Sequence, residues 1–438
     1  MPYFWVTNKW NVDMRIRIGM VLLGLGALLS CQNANDAEEG VKAETYGSIA
    51  LPDGFEATVF ADELGMGRHL AVKGNGDVYV RLGEAENGKG LVALRDTDGD
   101  GKADQKQYFG PDEGGTGVRI YKDYLYYSTN SKVYRQRFEG AELVPRGAPE
   151  LMLTVDPQDQ HAAKPLAFDQ QGHMYMTIGA PSNSCQDPDR QKGVPGQDPC
   201  PLLKRHGGIW RFDAETPGQT FADGQRYATG IRHSVGLHYD TVHRQLYAMQ
   251  HGRDQLHAHW PEHFSERESA ELPAEEFLKV DSADDFGWPY CYYDWRKNKK
   301  LLNPEYGGDG DSIGRCAQRE HPLVGFPGHW APNGLTFYHG DQFPVRYKGG
   351  AFVAFHGSWN RAPFPQQGYK VVFVPFSGEK PLGGFDDFAT EFAGESNSPS
   401  SPGEAEYRPC GLAVDEAGHL FIVDSREGRV WKVRHAET

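Results

Sequence analysis

The sequence predicts an all-β chain whose strands are grouped into repeated blades closed around an axis. Three observations carry that expectation. The 438 residues include 53 glycines, 28 prolines and 12% aromatic side chains, a composition that favours many short strands joined by tight turns. One phrase, an alternating apolar run followed by a glycine-containing turn and a second alternating run, recurs along the chain. Such a hairpin cannot bury both of its faces alone, so its copies must stack, and closing the stack into a ring removes the exposed edges of an open array.

Taken in order, Arg15 and Arg17 precede an apolar run over residues 18–29 that is short for a bilayer span and reads as the core of an export signal. Leu28-Leu29-Ser30-Cys31 follows, similar to a bacterial lipoprotein cleavage box in which the cysteine is lipidated. The expected organisation is a signal peptide over 1–31, with Met14 as an alternative start, a flexible tether over 32–50 and one propeller domain over 51–435. The chain is then an exported lipoprotein on the periplasmic side of the outer or inner membrane. Within the domain the hairpin phrase begins at His69, Pro165, Val235, Gly334 and Gly411, with a weaker copy from Gly117. Polar intervals over 186–204 and 297–321 read as long loops at the blade ends, where binding residues collect.

The formal charge of −15, with no basic cluster interleaved with aromatics, disfavours nucleic acid as a partner. No Rossmann fingerprint, P-loop or GxSxG elbow sits in a supporting strand-helix context. Apart from Cys31 the chain has Cys185, Cys200, Cys291, Cys316 and Cys410. Cys185 with Cys200 and Cys291 with Cys316 each flank a loop and are expected to close it as disulfides, leaving Cys410 reduced. Neither zinc-thiolate nor CxxC redox spacing is present.

Five segments, YATGIRHSVGL from Tyr227, DDFGWPYCY from Asp284, HWAPNGLTFYHG from His329, FHGSWNR from Phe355 and YRPCGLAVDEAGHLFIVDS from Tyr407, resemble the soluble glucose and sorbosone dehydrogenases that carry pyrroloquinoline quinone (PQQ). The likeness runs in chain order over about residues 51–434 and is nearest to the sorbosone-like branch. It implies a six-bladed β-propeller with four-stranded antiparallel blades, PQQ over the central opening held by arginines and calcium, and oxidation of a hydroxyl or aldehyde hydrate of a sugar, sugar-derived aldehyde or polyol. Electrons would pass to an external acceptor such as a cytochrome or membrane quinone. The alternative from a different class is a non-catalytic, cell-surface carbohydrate-binding propeller.

Hydride removal from a carbinol needs a base for the hydroxyl proton, and His161 is the positional match, although no obvious orienting partner stands beside it in DQHAAKPLAF. An anionic quinone suits guanidinium donors, which stay charged and present a fixed fork. Arg232 matches a catalytic and cofactor-contacting arginine, with His233 where the family carries asparagine. Arg68, Asn360, Arg361 and Arg408 fall at cofactor-contacting positions, Cys410 stands where a second arginine is expected, and Trp359 is a candidate to cover the planar ring or to pack in the core. For calcium the resemblance implies the carbonyls of Gly252 and Arg253, with Asp254 as a supplementary carboxylate. Independently, Asp96, Asp98, Asp100 and Asp104 have the rhythm of a calcium loop without its closing glutamate. His251, His257, His259 and His263 lack a defined ligand geometry for zinc or copper, and Asp294 with Glu305 makes no case for a glycosidase pair.

Overall fold

The computed structural model describes residues 46–394 and 398–436. The export signal, Cys31 and most of the tether lie outside the described residues. The described residues form six sheets arranged as blades, each begun by an innermost strand. Blade 1 comprises Gly67–Val72, Val78–Glu86, Lys89–Arg95 and Gln105–Phe109. Blade 2 comprises Val118–Tyr121, Tyr124–Ser128, Lys132–Arg137 and Glu150–Thr154, extended by Gln219–Thr220 pairing parallel to its outer edge. Blade 3 runs through Leu166–Phe168, His173–Ile178, Gly208–Asp213 and Gln225–Thr229, and blade 4 through Ser234–Asp240, Gln245–Gln250, Glu275–Val280 and Val324–Phe326. Blade 5 comprises Pro332–Phe337, Ala351–Phe355, Lys370–Val374 and Asp386–Ala389.

Blade 6 closes the ring. Its first three strands, Pro409–Val414, Leu420–Asp424 and Val430–His435, come from the C-terminal end, and its outer strand, Phe55–Ala61, comes from the N-terminal end and pairs antiparallel with Val430–His435. Phe55 pins this closure: its ring meets Phe343 and Phe388 edge-on at 4.8 and 5.0 Å in a cluster that also holds Trp431. The closing strand is therefore held by aromatic burial as well as by backbone pairing.

Each hairpin phrase read from the sequence is the inner pair of strands of one blade. Blades stack face to face, so inner strands such as Ala351–Phe355 are buried along their whole length and read as continuous apolar runs. The turns between the inner strands share a device in blades 3 and 6, where an aspartate accepts the backbone N–H of a histidine four residues on and also takes its Nδ1–H: Asp169 with His173 and Asp415 with His419. Gly172 and Gly418 occupy the left-handed position these turns require, at φ +95° and +90°.

The inner strands all begin at one end of the ring, and long segments rise there from blades 3 and 4. The first follows Ile178 and is clipped by Cys185–Cys200; the second leaves Val280 at the opposite end, runs back parallel to the outer strand of blade 3 past the Thr229–Asp285 bridge, and is clipped by Cys291–Cys316, with Cα separations of 6.1 and 5.8 Å. The two clips pack together with Trp288, whose indole N–H donates to Asn183 O at 2.9 Å. Cys410 is free and buried, as the cysteine count anticipated. The interval 297–321 is not wholly a loop: Lys299–Leu302 pairs with Cys291–Asp294, because alternation there is too short to register as a strand beside so many charges.

Candidate active site

Residues just ahead of, or at the start of, several inner strands converge at the ring's opening: Arg68 in blade 1, His161 before blade 3, Arg232 and His233 before blade 4, and Arg408 before blade 6. Arg68, His161 and His233 line one cavity of about 280 Å³, together with Thr116 and Asn130. Gly83 makes room for the arginine, since a Cβ there would lie 3.2 Å from the Arg68 stem.

His161 sits in a left-handed conformation at φ +53°. Its Nδ1 lies 2.5 Å from Ala180 O. A carbonyl only accepts, so Nδ1 carries the proton and Nε2 keeps its lone pair. Ala180 O is thus the orienting partner that the sequence did not reveal. Gln158 holds the loop by donating to Gln160 O, His161 O and Gly179 O at 2.7, 3.1 and 3.0 Å. Gly179 must be glycine for this close approach, because a Cβ would fall 2.6 Å from His161 O.

The His161 ring stacks on His233 at 4.7 Å, and His233 meets His251 at 4.8 Å. Burial, reinforced by the Arg232 charge, pushes His161 and His251 down to about 3. His233 is likewise held well below its ordinary value by burial and then by its histidine neighbours. All three rings are neutral at ordinary pH, and His233 Nδ1 is buried without a hydrogen-bond partner.

Beneath them Asp254 acts as a hub. Its Oδ2 accepts from Arg232 at 2.8 Å and Arg190 at 2.9 Å, its Oδ1 accepts from Asn360 at 2.8 Å, and its backbone is clasped by the Asn183 amide. Burial alone would raise this carboxyl, but the Arg232 charge holds it well below the usual range. Arg232 also donates to Gly252 O at 2.9 Å, while its Nε and the Oδ1 of Asn360 are buried without partners. Gly252 N–H donates to the buried Glu275 at 3.0 Å.

Three guanidiniums near the axis meet no carboxylate among the described residues. Arg408 donates only to His356 O and Gly357 O, Arg119 reaches from Val118 O across to Leu237 O, and Arg68 has no ion-pair partner. An acidic protein therefore keeps an electropositive centre. Such a centre, whose guanidiniums are not neutralised by carboxylates, is suited to an anion.

Residues 49–436 match the sequence family described as TrAA12-like. The chain belongs to this family. A pyrroloquinoline quinone-dependent pyranose dehydrogenase of Coprinopsis cinerea is 32% identical over 171 residues, which cover 34% of this chain and 22% of that protein, so the match spans about a fifth of the relative's length. Among solved structures, the holo PQQ domain of the Coprinopsis cinerea pyranose dehydrogenase superposes with a TM-score of 0.69 at 19% identity, over 88% of this chain and 97% of that one. A calcium structure of Trichoderma reesei Carbohydrate-Active Enzymes Family AA12 gives 0.72 at 18% identity, over 89% and 98%. These likenesses agree with the six-bladed fold.

In this TrAA12-like chain several expected positions hold other roles. The Arg361 guanidinium is buried and spent on Glu271 at 2.6 Å and Ala270 O at 2.7 Å, tying down the helix Glu266–Glu271, so it does not face the opening. The Arg253 side chain pairs with buried Glu305, which leaves only its carbonyl for a metal and accounts for Glu305 as a structural acid. Asp254 accepts from two guanidiniums through Oδ2 and from one amide through Oδ1, which leaves Oδ1 one uncommitted lone pair. Gly252 O keeps one lone pair after serving Arg232. Trp359 is 58% exposed and so is not a core tryptophan; its neighbour Asn360 is on Asp254, not at a cofactor contact through its amide nitrogen.

In the acidic loop, Asp96, Asp98 and Asp104 bring oxygens within 4.8 Å of one another, but Asp100 is outside that group and accepts from Lys102 N–H. Of the four crowded histidines, His251 belongs to the opening, whereas His257 bonds Phe264 O. Sequence reasoning missed His251 and His356 as parts of the opening. It also missed Arg119, whose only signal was an arginine in an otherwise apolar inner strand.

Proposed function

We propose that this protein is a PQQ-dependent dehydrogenase of sugars or related polyols. The observation that carries the reading is the juxtaposition, in one cavity, of an unpaired arginine with a histidine whose Nε2 lone pair is fixed by Ala180 O. When bound, the quinone would supply the two-electron acceptor for a hydride. Arg68 and Arg408 are the residues to hold its carboxylates, and Arg232 Nε is a further guanidinium donor buried without a partner. His161 Nε2 takes the hydroxyl proton, burial keeping the ring in its neutral form at neutral pH. Ala180 O and Gln158 keep the ring aimed, and the stacked His233 shields its face from water.

Calcium's place in this reading is at the carbonyls of Gly252 and Arg253, with its remaining oxygens drawn from the ligand and water. Within the sugar chemistry, the sorbosone-like assignment rests on Cys410, a buried thiol where an arginine is expected. The proposal also keeps Cys31 as a lipid anchor on the periplasmic side and a cytochrome or membrane quinone as acceptor, which mass spectrometry of the mature N-terminus and acceptor screening address.

The deciding experiment is a PQQ titration of the purified protein with calcium present, followed by reduction of an artificial acceptor with aldoses, polyols and sugar-derived aldehydes. Saturable binding with turnover supports the dehydrogenase. Carbohydrate binding without any quinone binding would favour the non-catalytic propeller.

A further inference from the structure

The end of the ring opposite the cavity carries a second cluster. Asp240 ends the inner strand of blade 4, whose start holds Arg232 and His233, so it lies a full strand length from the opening. Its Oδ2 contacts His243 Nδ1 at 2.6 Å and its Oδ1 contacts His339 Nε2 at 2.8 Å, His339 coming from the turn after the inner strand of blade 5. The three donor atoms all lie within 4.8 Å of one another. Asp240 is fully buried, while the His243 and His339 side chains are 26% and 29% exposed, so the cluster opens to solvent through its imidazoles.

The protein provides its own comparison. Asp169 with His173 and Asp415 with His419 lock the corresponding turns of blades 3 and 6 by an aspartate–histidine pair alone, at 2.7 and 2.8 Å. In those turns the aspartate also accepts the backbone N–H of its histidine. Blade 4 lacks that bond: Oδ1 of Asp240 accepts Val242 N–H at 3.0 Å, as Asp169 Oδ1 accepts Gln171 N–H at 2.9 Å, and turns as well to His339. Locking a turn does not require this second imidazole. Its addition converts a pair into a three-donor set spanning two blades.

We propose that Asp240, His243 and His339 form a binding site for a divalent transition-metal ion of the zinc or copper class. Two imidazole nitrogens and one carboxylate are the donors such borderline ions prefer, whereas calcium and magnesium favour all-oxygen sets. Three protein donors leave a coordination position for water. In the metal-free form each ring directs an N–H at the carboxylate; to coordinate, that nitrogen must first give up its proton to the ring's other nitrogen or to solvent. The ion would bridge blades 4 and 5 far from the cavity, and its role is to join blades, independent of the reaction proposed above.

The test is calorimetric titration of the chelator-treated, full protein with Zn2+, and Cu2+ loading followed by electron paramagnetic resonance. One equivalent should bind with two nitrogen ligands and raise the thermal midpoint. His243→Ala and His339→Ala should each weaken that binding at least tenfold, whereas His173→Ala and His419→Ala, which break only turn pairs, should leave it unchanged. His339→Gln retains an N–H for Asp240 and guards against a folding defect; it should fold like the parent yet lose the ion. No saturable binding by the parent, or binding that survives His339→Gln at full strength, overturns the site and leaves a hydrogen-bonded clasp.

Discussion

Arg68 and Arg361 make opposite predictions although both were expected from the sequence to contact the cofactor. Arg68 lines the cavity and has no ion-pair partner, so Arg68→Ala removes no internal bond, and stability should stay within about 0.5 kcal/mol of the parent. A hydrogen bond from a charged donor to an anionic ligand is worth about 1.5–3 kcal/mol. At about 1.4 kcal/mol per decade, Arg68→Ala should weaken PQQ binding roughly 10- to 150-fold. Arg361 is spent instead on Glu271 and three carbonyls. Arg361→Ala should lower unfolding stability by about 3 kcal/mol and leave quinone affinity in the surviving folded protein near that of the parent. Fluorescence titration with PQQ and urea denaturation of both variants separate the two effects. Tight binding by Arg68→Ala, or weakened binding by Arg361→Ala at unchanged stability, would refute the placement of the two guanidiniums.

His161→Ala should lower kcat by about 10²–10⁴-fold while sparing most quinone affinity, read by single-turnover kinetics beside the binding titration. Gly179→Ala should act in the same direction by displacing the His161 loop, since its Cβ would collide with His161 O; unchanged kcat would argue against that loop as the base's support. Non-reducing peptide mapping should recover both disulfides with Cys410 reduced, and loops of 15 and 25 residues imply losses of about 3 and about 3.5 kcal/mol when Cys185 or Cys291 is replaced by serine. Burial pushes His69, His161, His238 and His251 down to about 3. Because these folded values lie below the ordinary 6.5, the contribution of these rings to stability is full above pH 6.5 and is lost as pH falls from there toward 3, by up to about 1.4 kcal/mol per pH unit for each ring. Urea midpoints measured between pH 7 and 5 should fall accordingly, and a flat profile would contradict neutral burial.

The blades were legible because each inner hairpin repeats a period-two pattern around a turn whose glycine and aspartate have fixed geometric duties. The closing strand Phe55–Ala61 was not, since its partner lies some 375 positions away and no local signal marks that pairing. Of the residues expected at the site, the fold brings Arg68, His161, Arg232, His233 and Arg408 to the ring's opening. Direction was not readable: Arg361 and Asn360 sit one residue apart, yet one ties down a helix and the other bonds Asp254. Asp254 was read as a metal ligand because a carboxylate near two carbonyls suggests one, and only the fold shows that Arg190, from a loop 64 residues earlier, also claims it. The partner of His161 was invisible for a simpler reason, being a backbone carbonyl that any residue supplies.

The electropositive centre and the neutral base are linked by the same charges. Arg232 is the charge that most depresses His161 after burial itself, and Arg68 and Arg408 act in the same direction on His356. Burial and these charges together hold the imidazoles unprotonated but make them weak bases. A carboxylate-bearing ligand over the opening would offset those guanidinium charges and raise the basicity of His161 Nε2. Binding the anion and activating the base are then one electrostatic event, with the His161 lone pair already aimed by Ala180 O before any ligand arrives.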